Sequence, residues 1–134
     1  MKLDHKEAYI RFTMKGCPYC IMSEHGWKEA NKTRNEKYAK HANKVMLNIE
    51  QEYIKDFKLK NPDGTEIEVE SFPTYAYFKN GVMLHNYTGP REGPELIKEI
   101  VKRLKLTPKS PGKTLAVKRA RKYSSKTRLN RIRQ

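Results

Sequence analysis

Cysteine is scarce in this chain: two residues in 134, Cys17 and Cys20, separated by Pro18 and Tyr19. So few thiols exclude a disulfide framework, and without a second Cys-x-x-Cys there is no four-thiolate zinc site. No apolar run approaches the roughly 18–20 residues that a membrane span needs. Apolar residues make up 37% of the sequence, which is low for a domain of this length, so part of the chain is expected to lie outside any core. The segment Met1–Glu7 is polar and carries Asp4 and Glu7, unlike a secretory signal. A reducing compartment, cytoplasm or nucleus, is therefore expected. There an isolated Cys-x-x-Cys reads as redox-active rather than structural.

Acids are also missing from one end. Lys and Arg number 29 against 15 Asp and Glu, a net charge of +14. Residues 105–134 hold eleven of those bases and no acid, which leaves 18 bases against 15 acids, a net +3, in residues 1–104. Two units are expected: a globular domain over 1–104 and a basic, disordered arm over 105–134. The stretch Thr107-Pro108-Lys109-Ser110-Pro111-Gly112-Lys113 has the proline, glycine and hydroxyl composition of a linker.

Within 1–104 the pattern alternates strands and helices. Ala8–Met14 is rich in β-formers and reads as a strand. Lys15-Gly16 reads as a turn, and Pro18 suits the first position of a helix. That helix is expected from Pro18 to about Lys32, with Ile21, Met22, Trp27 and Ala30 as its apolar stripe and residues 35–44 as helix or loop. Val45–Ile49 reads as a strand, Tyr53–Leu59 as a short helix and Glu66–Glu70 as a short edge strand. Phe72–Phe78, Asn80-Gly81 and Val82–Leu84 read as strand, hairpin turn and strand. Pro94 opens a last helix with apolar residues at 96, 97, 100, 101 and 104. The fold class is α/β, in the order β-α-β-α-β-β-α: a mixed central sheet flanked by helices on both faces.

Over roughly residues 7–104 the chain resembles the thioredoxin superfamily. The element order matches, and Cys17–Cys20 falls at the strand-to-helix junction where that family keeps its redox pair. Phe72-Pro73-Thr74 resembles the family's loop with a cis-proline facing the disulfide. Tyr77–Gly81 and Tyr87-Thr88-Gly89 resemble the hairpin and glycine that follow it. Lys15-Gly16-Cys17-Pro18-Tyr19-Cys20 is similar to glutaredoxin, whereas the Phe-Pro-Thr loop and Gly89-Pro90-Arg91 are more similar to thioredoxin or a protein disulfide isomerase domain. Two departures stand out. Arg11 occupies the place of thioredoxin's buried acid on the strand before the cysteines. Glutaredoxin's glycine pair and hydroxyl–acid pair, which grip glutathione, are missing near residues 87–92.

The resemblance implies a thiol-disulfide oxidoreductase acting on disulfide-containing protein substrates. Cys17 would be the nucleophile at a helix N-terminus, where free N–H groups and the dipole favour a thiolate. Lys15 would add a positive field. Cys20, one turn further in, would resolve the mixed disulfide. Pro18, Tyr19, Phe72, Pro73 and Thr74 would meet substrate, which can add to the backbone edge at Pro73. No tightly bound cofactor and no metal are expected, and glutathione is a candidate co-substrate. A glutaredoxin-like dipeptide implies a potential of about −200 to −230 mV, against about −270 mV for thioredoxin. Other readings stay open: a zinc site completed by His5, His25, His41 or His85, a cluster bridged between two chains, and a redox-inactive scaffold. Trp27 is expected in the core.

In the arm, Lys118, Arg119, Arg121, Lys122, Lys126, Arg128, Arg131 and Arg133 form a dense positive run. Such a run attracts polyanions with steep salt dependence and little sequence preference. Nucleic acid is the expected partner, with a nuclear-import signal at Lys118–Lys122, an anionic membrane surface or simple solubilisation as alternatives. A redox domain with a cationic arm suits a protein packaged with a genome in a virion, as in large DNA viruses. A second function class follows: a nucleic-acid-binding or packaging protein on a redox-inactive thioredoxin-like body.

Overall fold

Side chains alternate across a strand, and the first strand builds the molecule outward from its middle on both faces. The structure, a computed structural model, describes residues 3–109. Its elements are β1 (Glu7–Thr13), α1 (Pro18–Lys37), β2 (Lys44–Glu50), a 3₁₀ helix (Gln51–Phe57), β3 (Thr74–Lys79), β4 (Val82–Tyr87) and α2 (Gly93–Leu104). The four strands form one mixed sheet in the order β2-β1-β3-β4. β1 runs parallel to β2 and antiparallel to β3, with Ile10 opposite Leu47 on one side and Ala76 on the other. It is thus interior to the sheet and buried on both faces, as its near-continuous apolar run requires.

Ala8, Ile10 and Phe12 of β1 join Ile49, Ala76 and Phe78 on one face, closed over by Leu59 and Ile67 and by Ile54 and Phe57 of the 3₁₀ helix. Tyr9 and Tyr75 face the other way, against Trp27 and Ala30 of α1 and Leu96, Ile100 and Leu104 of α2. The α/β class and the flanked mixed sheet therefore stand as expected. Both α-helices share one face, however, and the short helix expected at Tyr53–Leu59 forms two residues earlier as the 3₁₀ helix that covers the other. Trp27 is core, 7% exposed.

Three details differ from expectation. α1 runs on to Lys37, with Arg34 and Lys37 in its last turn, where cations favour the dipole. The Arg34 guanidinium also donates to the Lys44 carbonyl at 2.9 Å. The stripe expected on α1 holds in its second half only: Trp27 and Ala30 are buried, but Ile21 and Met22 are 71% and 76% exposed, and Cys20, Ser23 and Gly26 are buried in their place. Glycine is needed at 26 because the backbone of Arg91 passes so close that a Cβ there would collide with its carbonyl oxygen. Glu66–Glu70 forms no strand; Glu66 makes a single bridge to Lys60, and Ile67 turns into the core.

The hairpin follows the sequence closely, since Asn80 and Gly81 both take positive φ, 54° and 77°, as a tight two-residue turn requires. β3 starts at Thr74 rather than Phe72, because Pro73 has no N–H to give to a ladder. Contacts to the domain continue past Leu104. Leu106 is buried, the Ala39 N–H donates to the Thr107 carbonyl at 2.8 Å, and the Lys109 N–H donates to the Lys37 carbonyl at 3.0 Å. The basic residues expected to bind nucleic acid, Lys118 to Arg133, lie outside the described residues. Among the described residues, no helix is long and apolar enough to cross a membrane.

Candidate active site

The chain leaves the C-terminal end of β1 at Thr13, turns through Gly16 at a φ of 74° and delivers Cys17 as the N-cap of α1. An N-cap side chain normally accepts a hydrogen bond from an N–H of the first turn. Here the acceptor is sulfur: the Cys20 N–H donates to Cys17 Sγ at 3.1 Å. The first turn of α1 holds no acid, so nothing there opposes negative charge. Both cysteines are free thiols and both are buried, at 5% and 6% exposure.

The two thiols are driven apart in acidity. Burial works against ionising Cys17. The hydrogen bond from the Cys20 thiol, the N–H groups of Cys20 and Tyr19 and the positive charge of Arg11 outweigh it, and the Cys17 pKa falls below its ordinary value. Burial raises the Cys20 pKa, as do its hydrogen bond to Cys17 and the Cys17 charge. One thiol is thus poised to attack while its neighbour holds its proton, the division of labour that exchange through a mixed disulfide needs.

The Phe72–Pro73 peptide bond is cis, and the Cys17 thiol donates to the Phe72 carbonyl at 3.5 Å. The loop expected to face the pair therefore does so through backbone. Thr74 turns away, its hydroxyl donating to the Ser71 carbonyl at 2.7 Å. Pro18 is exposed beside the pair. Tyr19, 62% exposed, lines a cleft of about 300 Å³ with Met22, His25, Glu29 and Arg91. Lys15, expected to face the thiolate, extends into solvent and pairs with Glu52 at 3.4 Å.

The cation that acts on both thiols is Arg11. Arginine in the middle of an apolar strand, on the Tyr9 face, was the available signal, yet its partners could not be read from sequence. Its side chain is 2% exposed. One guanidinium nitrogen donates to the Cys20 carbonyl at 2.8 Å and to Ser23 Oγ at 2.9 Å. The others reach Asn48 Oδ1 at 2.8 Å and the Tyr75 hydroxyl at 3.3 Å. Among the described residues, no group of three or more His, Cys, Asp or Glu side chains converges as metal ligands would.

The architecture matches solved structures. The zinc-bound form of human ERp44 superposes with a TM-score of 0.60 at 20% identity, over 76% of this chain and 28% of that one. The J-Trx1 fragment of ERdj5 gives 0.55 at 16% identity, over 77% and 46%. The first two thioredoxin domains of Naumovozyma dairenensis Eps1p give 0.54 at 16% identity, over 74% and 35%. The chain spans less than half the length of each of these. The fold is thioredoxin-like. No family model matches the sequence, and no curated protein matches it either.

Proposed function

We propose that this protein is a thiol-disulfide oxidoreductase in which Cys17 attacks and Cys20 resolves. The observation that carries the reading is Cys17 Sγ at the cap of α1, accepting the Cys20 N–H at 3.1 Å with its acidity raised. In the reducing direction the Cys17 thiolate attacks a substrate disulfide, whose other sulfur leaves and takes a proton from water. Cys20 then gives up its proton and attacks Cys17 Sγ, which releases the second substrate thiol. Two electrons pass to the substrate, and the Cys17–Cys20 disulfide remains. Extended disulfide-containing polypeptides, docking along the backbone at Phe72–Pro73, are the proposed substrates, and glutathione or a dithiol protein restores the pair.

The arm is proposed to hold this activity on nucleic acid, inside a cell or a particle packed around a genome, and its eleven uncompensated bases support that. Trapping tests the chemistry. Cys20→Ser should accumulate a mixed disulfide through Cys17, visible by mass, and Cys17→Ser should exchange no faster than free thiol. Equal exchange by Cys17→Ser and the unaltered protein would leave the body as scaffold and the arm as the function.

A further inference from the structure

A cation buried in a protein interior is costly unless an anion or a full set of hydrogen bonds compensates it. Arg11 has the hydrogen bonds: Cys20 O, Ser23 Oγ, Asn48 Oδ1 and Tyr75 OH, all neutral. Among the described residues, no carboxylate hydrogen-bonds to it. The nearest is Glu24 at 3.9 Å, which is half exposed and is shared with Lys28 at 3.5 Å. A polar cavity of about 430 Å³ is lined by Arg11, Cys20, Thr13, Asn48, Glu24 and Glu50, among others. The guanidinium therefore lies beneath the second cysteine, fixed by that cysteine's own carbonyl. The anion that the cysteine pair itself can generate is a thiolate.

We propose that Arg11 is the built-in countercation of the reduced pair, stabilising thiolate over disulfide and setting the couple toward the oxidising side. This rests on the dithiol reading above. When Cys17–Cys20 closes, two electrons leave for the substrate, the thiolate charge disappears, and Arg11 is left with neutral hydrogen-bond partners and the half-exposed Glu24 at 3.9 Å. When a dithiol reductant reopens the disulfide, the charge returns beside it. Arg11 touches neither sulfur, so it is a positioning and electrostatic residue. The charged or titratable groups facing it are Glu24 and Lys28 from α1, Lys15 from the turn before it, Glu50 from β2 and Tyr75 from β3. Arg11 is the buried cation among them, and its charge favours ionisation of both cysteines.

The test is a redox titration of the full chain in glutathione buffers, read by alkylation and mass, with the pH profile of alkylation recorded beside it. Arg11→Gln should shift the equilibrium toward disulfide by about tenfold, about 30 mV more negative for a two-electron couple, and move alkylation of the thiols to higher pH. Arg11→Lys should restore most of both. Arg11→Met, similar in length and apolar, is the second charge-free variant. Glu24→Gln, at the surface, should shift the equilibrium the other way, toward dithiol. Charge-free variants that titrate within about twofold of the unaltered protein, or a Glu24→Gln variant that does not move, would overturn the role of Arg11 while leaving the dithiol reading intact. An unaltered protein with no reversible disulfide would overturn both.

Discussion

At the scale of residues, the site turns on two sulfurs with opposite shifts. Cys17 is more acidic than an ordinary thiol, so its alkylation should reach half-maximal rate below the pH expected for a free cysteine, about 8.5, with Cys20 reacting above it. A midpoint for Cys17 at or above that value would contradict the hydrogen-bonded thiolate. The same shift has a consequence for folding. A thiol whose folded pKa is lowered adds stability above its unfolded pKa and loses it as pH falls through the folded one. The reduced protein should therefore gain stability over Cys17→Ser as pH rises toward about 8.5, measured by urea unfolding. Cys20, shifted upward, works in the opposite sense above that value. The pair was legible from its spacing, and its place at the strand–helix junction from the β-rich run before it and Pro18 after it. The source of the positive field was not. Lys15 is near in sequence, but its long side chain reaches Glu52. Arg11 is six residues from Cys17 in sequence and comes into play only because α1 folds back over β1.

At the scale of elements, α1 shows what a hydrophobic pattern can miss. Apolarity pointed to Ile21, Met22, Trp27 and Ala30; the last two are buried, but the rest of the buried face runs through Ser23 and Gly26, and at Gly26 the Arg91 backbone leaves no room for a Cβ. Gly26→Ala should therefore destabilise, by about 1–3 kcal/mol from overpacking, even though alanine is the better helix former by up to about 1 kcal/mol. Ile21→Ser and Met22→Ser should each cost less than about 0.5 kcal/mol, as exposed positions do. Urea unfolding of the three variants checks this, and a more stable Gly26→Ala would mean the loop at Arg91 yields freely. The hairpin was legible because Asn-Gly turns are governed locally. The stretch Glu66–Glu70 was not, because alternation predicts which side chains are buried, here Ile67, without supplying a strand to pair with.

At the scale of the whole molecule, composition divides the chain near Leu104, but contacts continue to Lys109. A chain ending at 104 loses Leu106, worth about 1.5–3 kcal/mol when fully buried, and should melt several degrees below one ending at 109. Removing 110–134 should also abolish polyanion binding, whose affinity in the full chain should fall about 10³–10⁵-fold between 50 and 200 mM salt if six to ten phosphates are engaged. Equal binding by the truncated chain would place the polyanion site on the globular body. The exchange activity and the role of Arg11 both depend on whether the body is a working dithiol. The most direct measurement is the redox titration of the unaltered full chain in glutathione buffers. A reversible two-electron transition of Cys17–Cys20 at about −200 to −230 mV is expected. A transition below about −260 mV would contradict a countercation-tuned, glutaredoxin-like couple, and no reversible disulfide at any poise would contradict the oxidoreductase itself.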